Sequence, residues 1–206
     1  MMKLLDLSYP IGNDIQIHPL DSPTILLQEK YLERDSFNLF RLETGLHTGT
    51  HIDAPMHLTE NKKFINDYDL NRFCGSAVLI DVRGQNIIEY KEDFNSLIKE
   101  NCIVLFYTGH DSKYGSKDYF TNHPVIDVEL AEFLVSRKIK MTGFDLPSPD
   151  NEPYPVHKLL LENDIMIIEN LTNLENLIDK EFEIYAFPLN IKSDSSISRV
   201  AAKMLE

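Results

Sequence analysis

Cysteine is nearly absent from the sequence: Cys74 and Cys102 are the only two. Neither belongs to a CxxC pair, so a disulfide framework or a paired-thiolate metal site is excluded, and both are expected as reduced, buried thiols. Basic residues are also scarce. Twenty Lys and Arg face 33 Asp and Glu, a formal charge of −13. That field repels phosphate backbones and anionic lipid, so neither nucleic acid nor a membrane is expected as a partner. It favours a divalent cation without requiring one. Long apolar runs are missing as well: no window approaches the ~18 apolar residues of a membrane span. The opening "MMKLLDLSYPIGNDIQ" is too short and too polar in its apolar part for a signal peptide. The expected location is therefore cytoplasmic, where thiols stay reduced.

The chain has 206 residues, 43% of them hydrophobic and 26% charged, which suits a single domain able to bury a core of its own. It contains no internal repeat, low-complexity tract or linker. "FNLFRLETGL" (37–46) alternates apolar and polar residues and predicts a strand leading into a histidine-rich segment. "SAVLIDV" (76–82) and "CIVLFYT" (102–108) are dense in β-branched and aromatic residues and predict buried strands. Between them, Phe94, Leu97 and Ile98 fall at helical spacing. A second helix is predicted over "VELAEFLVSRK", with Asp127 as its cap and Leu130, Phe133 and Leu134 on one face. A short helix over 156–163, a strand over 164–170 and a strand over 181–191 interrupted at Pro188 complete the pattern. Strands separated by helices argue for an α/β domain. The early strands lack a following helix, so a mixed sheet is expected.

The segment "HTGTHIDAPMH" holds three of the seven histidines within eleven residues, with an aspartate among them. Imidazole and carboxylate are lone-pair donors suited to zinc and manganese. On a strand, His51 and Asp53 share one face. Gly49 and Pro55 work against a continuous helix, and Gly49 permits a tight turn that folds His47 back toward His51. The segment therefore reads as a strand end and a shaped loop able to present His47, His51 and Asp53 to one point. His57 is either a further ligand or a free base beside them. Each histidine alone is more simply a hydrogen-bonded surface residue; the cluster is what favours metal. Downstream, His157 lies on the predicted short helix and Glu169 ends the apolar run "IMII". A carboxylate there needs a partner, either a lysine or arginine or a metal.

"HTGTHIDAPMH" resembles the signature of the cyclase family of metal-dependent hydrolases, which includes bacterial arylformamidases (kynurenine formamidases) and isatin hydrolases. "DLSYPIG", "FYTGH" (106–110), "TGFDLPSPD" (142–150) and "VHKLLLENDIMIIENLTNL" (156–174) resemble the family's further blocks, in order. The resemblance implies His47, His51, Asp53, His157 and Glu169 as metal ligands, with Asp53 and Glu169 bridging where two zinc ions are held, and His57 as the catalytic histidine. It implies zinc, one ion or two, with manganese as the alternative. The implied fold is a barrel-like mixed sheet wrapped by helices, of the swivelling β/β/α type. The implied assembly is a homodimer or homotetramer in which the N-terminal segment can reach a neighbouring site. The implied reaction is hydrolysis of a small amide, cyclic amide or lactone, with N-formylkynurenine the nearest named substrate. A metal-dependent cyclase or lyase, or a non-catalytic binding protein, are the alternatives.

Two blocks depart from the family pattern. His18 and Leu20 replace an aromatic and a glycine in "HPLD", a loop that helps shape the substrate pocket. "SISR" stands where Ser-Pro-x-Arg is common, which leaves the placement of Arg199 open. Among the other polar residues, His110 is expected either to line the pocket or to make a loop hydrogen bond, His123 to sit in a turn before Pro124, and Asp145 to support a loop.

Overall fold

The two β-branched runs become parallel neighbours, and the reason is visible in their side chains. In the computed structural model, which describes residues 3–205, the strands are β1 (Leu4–Asp6), β2 (Ile25–Lys30), β3 (Leu39–Glu43), β4 (His51–Asp53), β5 (Cys74–Asp81), β6 (Ile87–Ile88), β7 (Ile103–Tyr107), β8 (Val125–Ile126), β9 (Met141–Phe144), β10 (Met166–Glu169), β11 (Phe182–Pro188) and β12 (Ser195–Met204). The helices are α1 (Leu32–Asp35), α2 (Phe94–Leu97), α3 (Val128–Ser136) and α4 (Pro155–Glu162). In β7, Ile103 and Leu105 join one apolar cluster while Val104 and Phe106 join another. A strand buried on both faces reads as a continuous apolar run.

The main sheet closes on itself. Its order is β1-β12-β11-β5-β7-β9-β10-β4, and β4 also pairs with β12, so seven strands form a ring with β1 outside it. Strands β5, β7, β9 and β10 run parallel, and the remaining pairings are antiparallel. The mixed, barrel-like α/β sheet expected from the sequence is therefore present. Ile52, Leu105, Met141, Ile168, Ile184 and Val200 belong to the cluster that fills the ring. Outside it, Leu130 and Leu134 of α3 and Val156 and Leu160 of α4 cover Val104, Phe106, Phe144 and Ile167. Each such aliphatic or aromatic side chain contributes ~1.5–3 kcal/mol on burial.

Several elements differ from the sequence reading. The strand predicted over 37–46 is shorter, and it forms an exposed two-stranded sheet with β2 instead of running into the histidine segment. The first predicted helix shrinks to the single turn α2. Phe94 and Ile98 reach the core, but Leu97 stays exposed and Ile98 is already extended. Asp127 occupies the N-cap position of α3 without a side-chain cap hydrogen bond. Strand β12, the longest, lies in a stretch for which no element was expected. Cys102 is buried, whereas Cys74 is only partly so.

Candidate functional site

Strand alternation sets the site. In β4, Ile52 points into the ring, so His51 and Asp53 face outward. In β10, Ile168 points inward and Glu169 outward. The antiparallel register places Glu169 directly opposite His51 and Asp53 opposite Ile167. His51 Nε2 is consequently 3.3 Å from Glu169 Oε2 and 3.4 Å from Asp53 Oδ1. Helix α4 brings a second imidazole: His157 Nε2 lies 3.1 Å from Glu169 Oε1 and 3.8 Å from Asp53 Oδ2. The loop before β4 supplies the third, with His47 Nδ1 2.8 Å from Asp53 Oδ1. Gly49 makes that loop possible. Its φ of +60° is left-handed, and a Cβ there would come within 2.6 Å of Ile15 Cδ1.

Each of these three imidazoles is held by its other nitrogen. His51 Nδ1–H donates to the Gly49 carbonyl at 2.8 Å. His157 Nδ1 meets Asp150 Oδ1 at 2.5 Å, and Asp150 Oδ2 also accepts the Val156 amide of the first turn of α4. His47 Nε2 meets Asp194 Oδ2 at 3.1 Å. A ring held at one nitrogen turns its opposite nitrogen toward the Asp53–Glu169 pair, where it has a lone pair once deprotonated. His57, on a short turn opened by Pro55, uses the same Asp194 oxygen, at 3.0 Å from Nδ1. One carboxylate oxygen thus joins His47 to His57, whose rings are 4.2 Å apart.

The electrostatics match this crowding. Burial works against charge on His47, but Asp53 and Asp194 outweigh it and push its pKa up to about 11. Burial likewise opposes charge on His157, and Asp150 and Glu169 raise it to about 10. His51 is raised in the same sense. Burial alone would raise Asp53, yet His47 and His51 hold it well below the usual carboxylate range. For Glu169, burial and the neighbouring Asp53 are outweighed by His157 and His51, and its pKa is lowered.

These groups form the floor of a cavity of about 380 Å³. Gln16, His18, Leu20, Phe120, His123 and Tyr154 are among its walls, and among the described residues no lysine or arginine lines it. The lysine or arginine partner considered for Glu169 is therefore not what faces it. Two triads, His51–Asp53–Glu169 and His47–Asp53–His57, each bring ligand atoms within 4.8 Å of one another. His51 Nε2 is buried without a well-formed hydrogen bond, and Asp53 Oδ1, although 2.8 Å from His47 Nδ1, makes none of good geometry. Two adjacent buried carboxylates facing three imidazole nitrogens, with His51 Nε2 unsatisfied between them, fit a divalent cation.

All six residues singled out in the sequence come together here. Asp150 and Asp194 were missed. Their signals are faint: an aspartate in "SPDNEPYPVH" five residues before α4 begins, and one set among serines immediately before β12. His110 does not line the cavity; it is buried and its Nε2–H donates to the Tyr119 carbonyl at 2.9 Å. His123 does line it; its Nδ1–H donates to the Pro124 carbonyl, and it lies in extended chain just before β8 instead of in the expected turn. Asp145 supports a loop by accepting from Thr108 and Gly109. Arg199 lies outside the cavity, paired with Asp6 on the surface.

Comparison with known proteins places this architecture. Residues 5–151 match the family model described as "Putative cyclase". A kynurenine formamidase of Bacillus cereus (strain ZK / E33L) is 33% identical over 203 residues, covering 96% of this chain and 95% of that protein. A kynurenine formamidase of Bacillus anthracis is 32% identical over 207 residues, covering 97% and 96%. The solved structure of a potential metal-dependent hydrolase with cyclase activity superposes with a TM-score of 0.84 at 26% identity, over the whole of both chains. Isatin hydrolase A from Labrenzia aggregata shares the fold, with a TM-score of 0.88 at 22% identity over 100% of this chain and 94% of that one. Fold, site and relatives together define a metal-dependent hydrolase. The chain belongs to the cyclase family.

Proposed function

We propose that the protein hydrolyses carbon–nitrogen bonds other than peptide bonds, with an N-formylated aromatic amine of the N-formylkynurenine type as substrate. The observation that carries this reading is the buried His51–Asp53–Glu169 group, with its unsatisfied His51 Nε2, at the floor of the cavity. The full-length similarity to kynurenine formamidases supports the substrate class. His47, His51, Asp53, His157 and Glu169 would hold the metal, one ion or two. Three imidazoles and two carboxylates suit zinc first and manganese second.

When bound, the metal supplies Lewis acidity that acidifies water and polarises a carbonyl. The chain's own residues handle the protons. Asp194 fixes His57 through Nδ1, which leaves Nε2 to take a proton from the attacking water and return it to the departing nitrogen. Leu20, Phe120 and Tyr154 offer apolar and aromatic surface for an aryl group. The test is formate release from N-formylkynurenine by protein loaded with zinc or manganese. Turnover is expected; turnover only of cyclic amides or lactones would overturn the substrate assignment, and none on any of them would overturn the hydrolase reading of this site.

Metal uptake is expected to release protons. His47 and His157, with pKa values raised to about 11 and about 10, are protonated at neutral pH before metal arrives, and a ligand nitrogen must be neutral. The sign follows: raising the pH removes the competing protons, so apparent affinity rises from pH 6 to 8. Calorimetry in two buffers of different ionisation enthalpy measures the release, and equal heats in both would contradict it.

The protein acts as a homo-oligomer in the cytoplasm, and the β2–β3 hairpin supports the assembly. Ile25, Leu27, Tyr31, Leu32, Phe37, Leu39, Phe40 and Leu42 are all exposed there, Leu32 by 62% and Phe40 by 56%. By the strand register Phe40 and Leu42 share one face of this ribbon and Ile25 and Leu27 the other. Residues 24–44 carry four acids and three bases in a chain of net charge −13, so two copies meeting there repel only weakly. A Phe40→Asp/Leu42→Asp variant is expected to sediment as a monomer where the parent does not. An unchanged sedimentation coefficient would remove the hairpin from the interface.

A further inference from the structure

Behind the metal-site loop lies a buried polar chain that no step above uses. Tyr119 is fully buried, Asn170 is 5% exposed and His51 is 1% exposed. Tyr119 Oη–H donates to Asn170 Oδ1 at 2.8 Å. Asn170 Nδ2–H donates to the Gly49 carbonyl at 3.0 Å. That carbonyl is also the acceptor for His51 Nδ1–H. The Asn170 backbone carbonyl in turn accepts from Thr50 Oγ1 at 2.6 Å.

We propose that Asn170, oriented by Tyr119, is a positioning residue that fixes the Gly49 carbonyl and thereby aims His51 Nε2 at the metal. This rests on the metal reading above. The physical case has three parts. First, the Gly49–Thr50 segment has no regular-structure partner at that carbonyl, and its left-handed glycine leaves the peptide plane free to rotate. Second, a side-chain amide can accept from a hydroxyl and donate to a carbonyl at once, as Asn170 does here. Third, Asn170 directly follows Glu169, at a φ of +55° that asparagine tolerates better than most residues. The same two-residue unit therefore supplies one ligand, Glu169, and orients another, His51.

The chain is held from behind by an aromatic block. Tyr119 packs edge-on against Tyr114 at 5.1 Å, and Tyr114 stacks on Tyr9 at 3.6 Å. The Tyr9 amide donates to Thr50 Oγ1, which returns the block to the same loop. His110, whose Nε2–H holds the Tyr119 carbonyl, finds its role here instead of in the cavity.

Asn170→Gly keeps the left-handed backbone and removes the amide. Tyr119→Phe removes one hydroxyl. Cobalt affinity, measured by chelator competition on the folded fraction, is expected to fall ~10–100-fold in the first and about tenfold in the second, in the range of lost outer hydrogen bonds to metal ligands. The visible d–d spectrum of bound cobalt is expected to shift, because the His51 ring is no longer held. Tyr114→Phe, in the same aromatic block but hydrogen-bonded only to Gln16 O, is expected to leave affinity and spectrum unchanged. If both the Asn170 and Tyr119 variants bind cobalt as the parent does, with the parent's spectrum, the positioning role is wrong. So it is if they merely lower the melting temperature of the metal-free protein. Should the parent itself bind no cobalt, the metal reading fails first, and that result is separate from the variants.

Discussion

Asp53→Asn is expected to empty the site. Asp53 is 1% exposed and is the one carboxylate that faces all three proposed imidazole ligands: His47 at 2.8 Å, His51 at 3.4 Å and His157 at 3.8 Å. It also belongs to both ligand triads. Asparagine keeps the volume and the strand register with Ser195 and Ile167, so the barrel should fold. What disappears is a negative charge held ionised by His47 and His51 against its own burial. An amide nitrogen offers no ligand, and its oxygen carries no full charge with which to bridge two sites. Metal affinity is expected to fall by well over ~100-fold, beyond the loss seen for outer-sphere changes. Amide hydrolysis should fall with it. Elemental analysis after dialysis, beside the activity assay, measures both. Stoichiometric metal in the variant would remove Asp53 from the ligand set and leave Glu169 as the central carboxylate.

The parts of this site legible in the sequence are those encoded within a few residues. His47, His51, Asp53 and His57 are close in the chain, and Gly49 and Pro55 announce the turn that gathers them. Strands β7 and β10 were legible because both of their faces are apolar and buried, whereas β5, expected to be buried, is mostly half-buried with only Ile80 fully enclosed. Glu169 stood out by ending such a run, and its partnership with His157 came from resemblance and not from any local pattern. Asp194 was not legible, because what makes it matter is closure of the barrel. It becomes a neighbour of His57, 137 residues away, only when β12 pairs with β4. Strand β12 itself was hidden. Its first residues, Ser195 and Ser196, are polar yet fully buried, so the stretch reads as a loop. The β2–β3 hairpin misled in the opposite sense: a clean alternation was taken to lead into the site, whereas it forms a separate sheet with apolar residues in solvent.

His57→Ala is expected to keep the metal and lose most of the turnover, a fall of ~10²–10⁴ in kcat, the range a general acid–base contributes. The geometry makes this a sharp test, because His57 could in principle ligate: it forms a triad with His47 and Asp53. If the alanine variant loses metal, His57 is a ligand and the proton carrier must be sought elsewhere. If it keeps metal, added imidazole should restore part of the rate through the cavity, since a small base can then replace the missing ring. Asp194 extends the test. Its single oxygen Oδ2 holds both His57 Nδ1 and His47 Nε2, and those two histidines keep its own pKa far below the ordinary value. Asp194→Asn should therefore lower kcat and metal affinity together, each about tenfold or more, while His57→Ala separates them. A variant at Asp194 that affects neither would mean the two imidazoles are held by their ring packing alone, at 4.2 Å, and that the shared carboxylate is incidental.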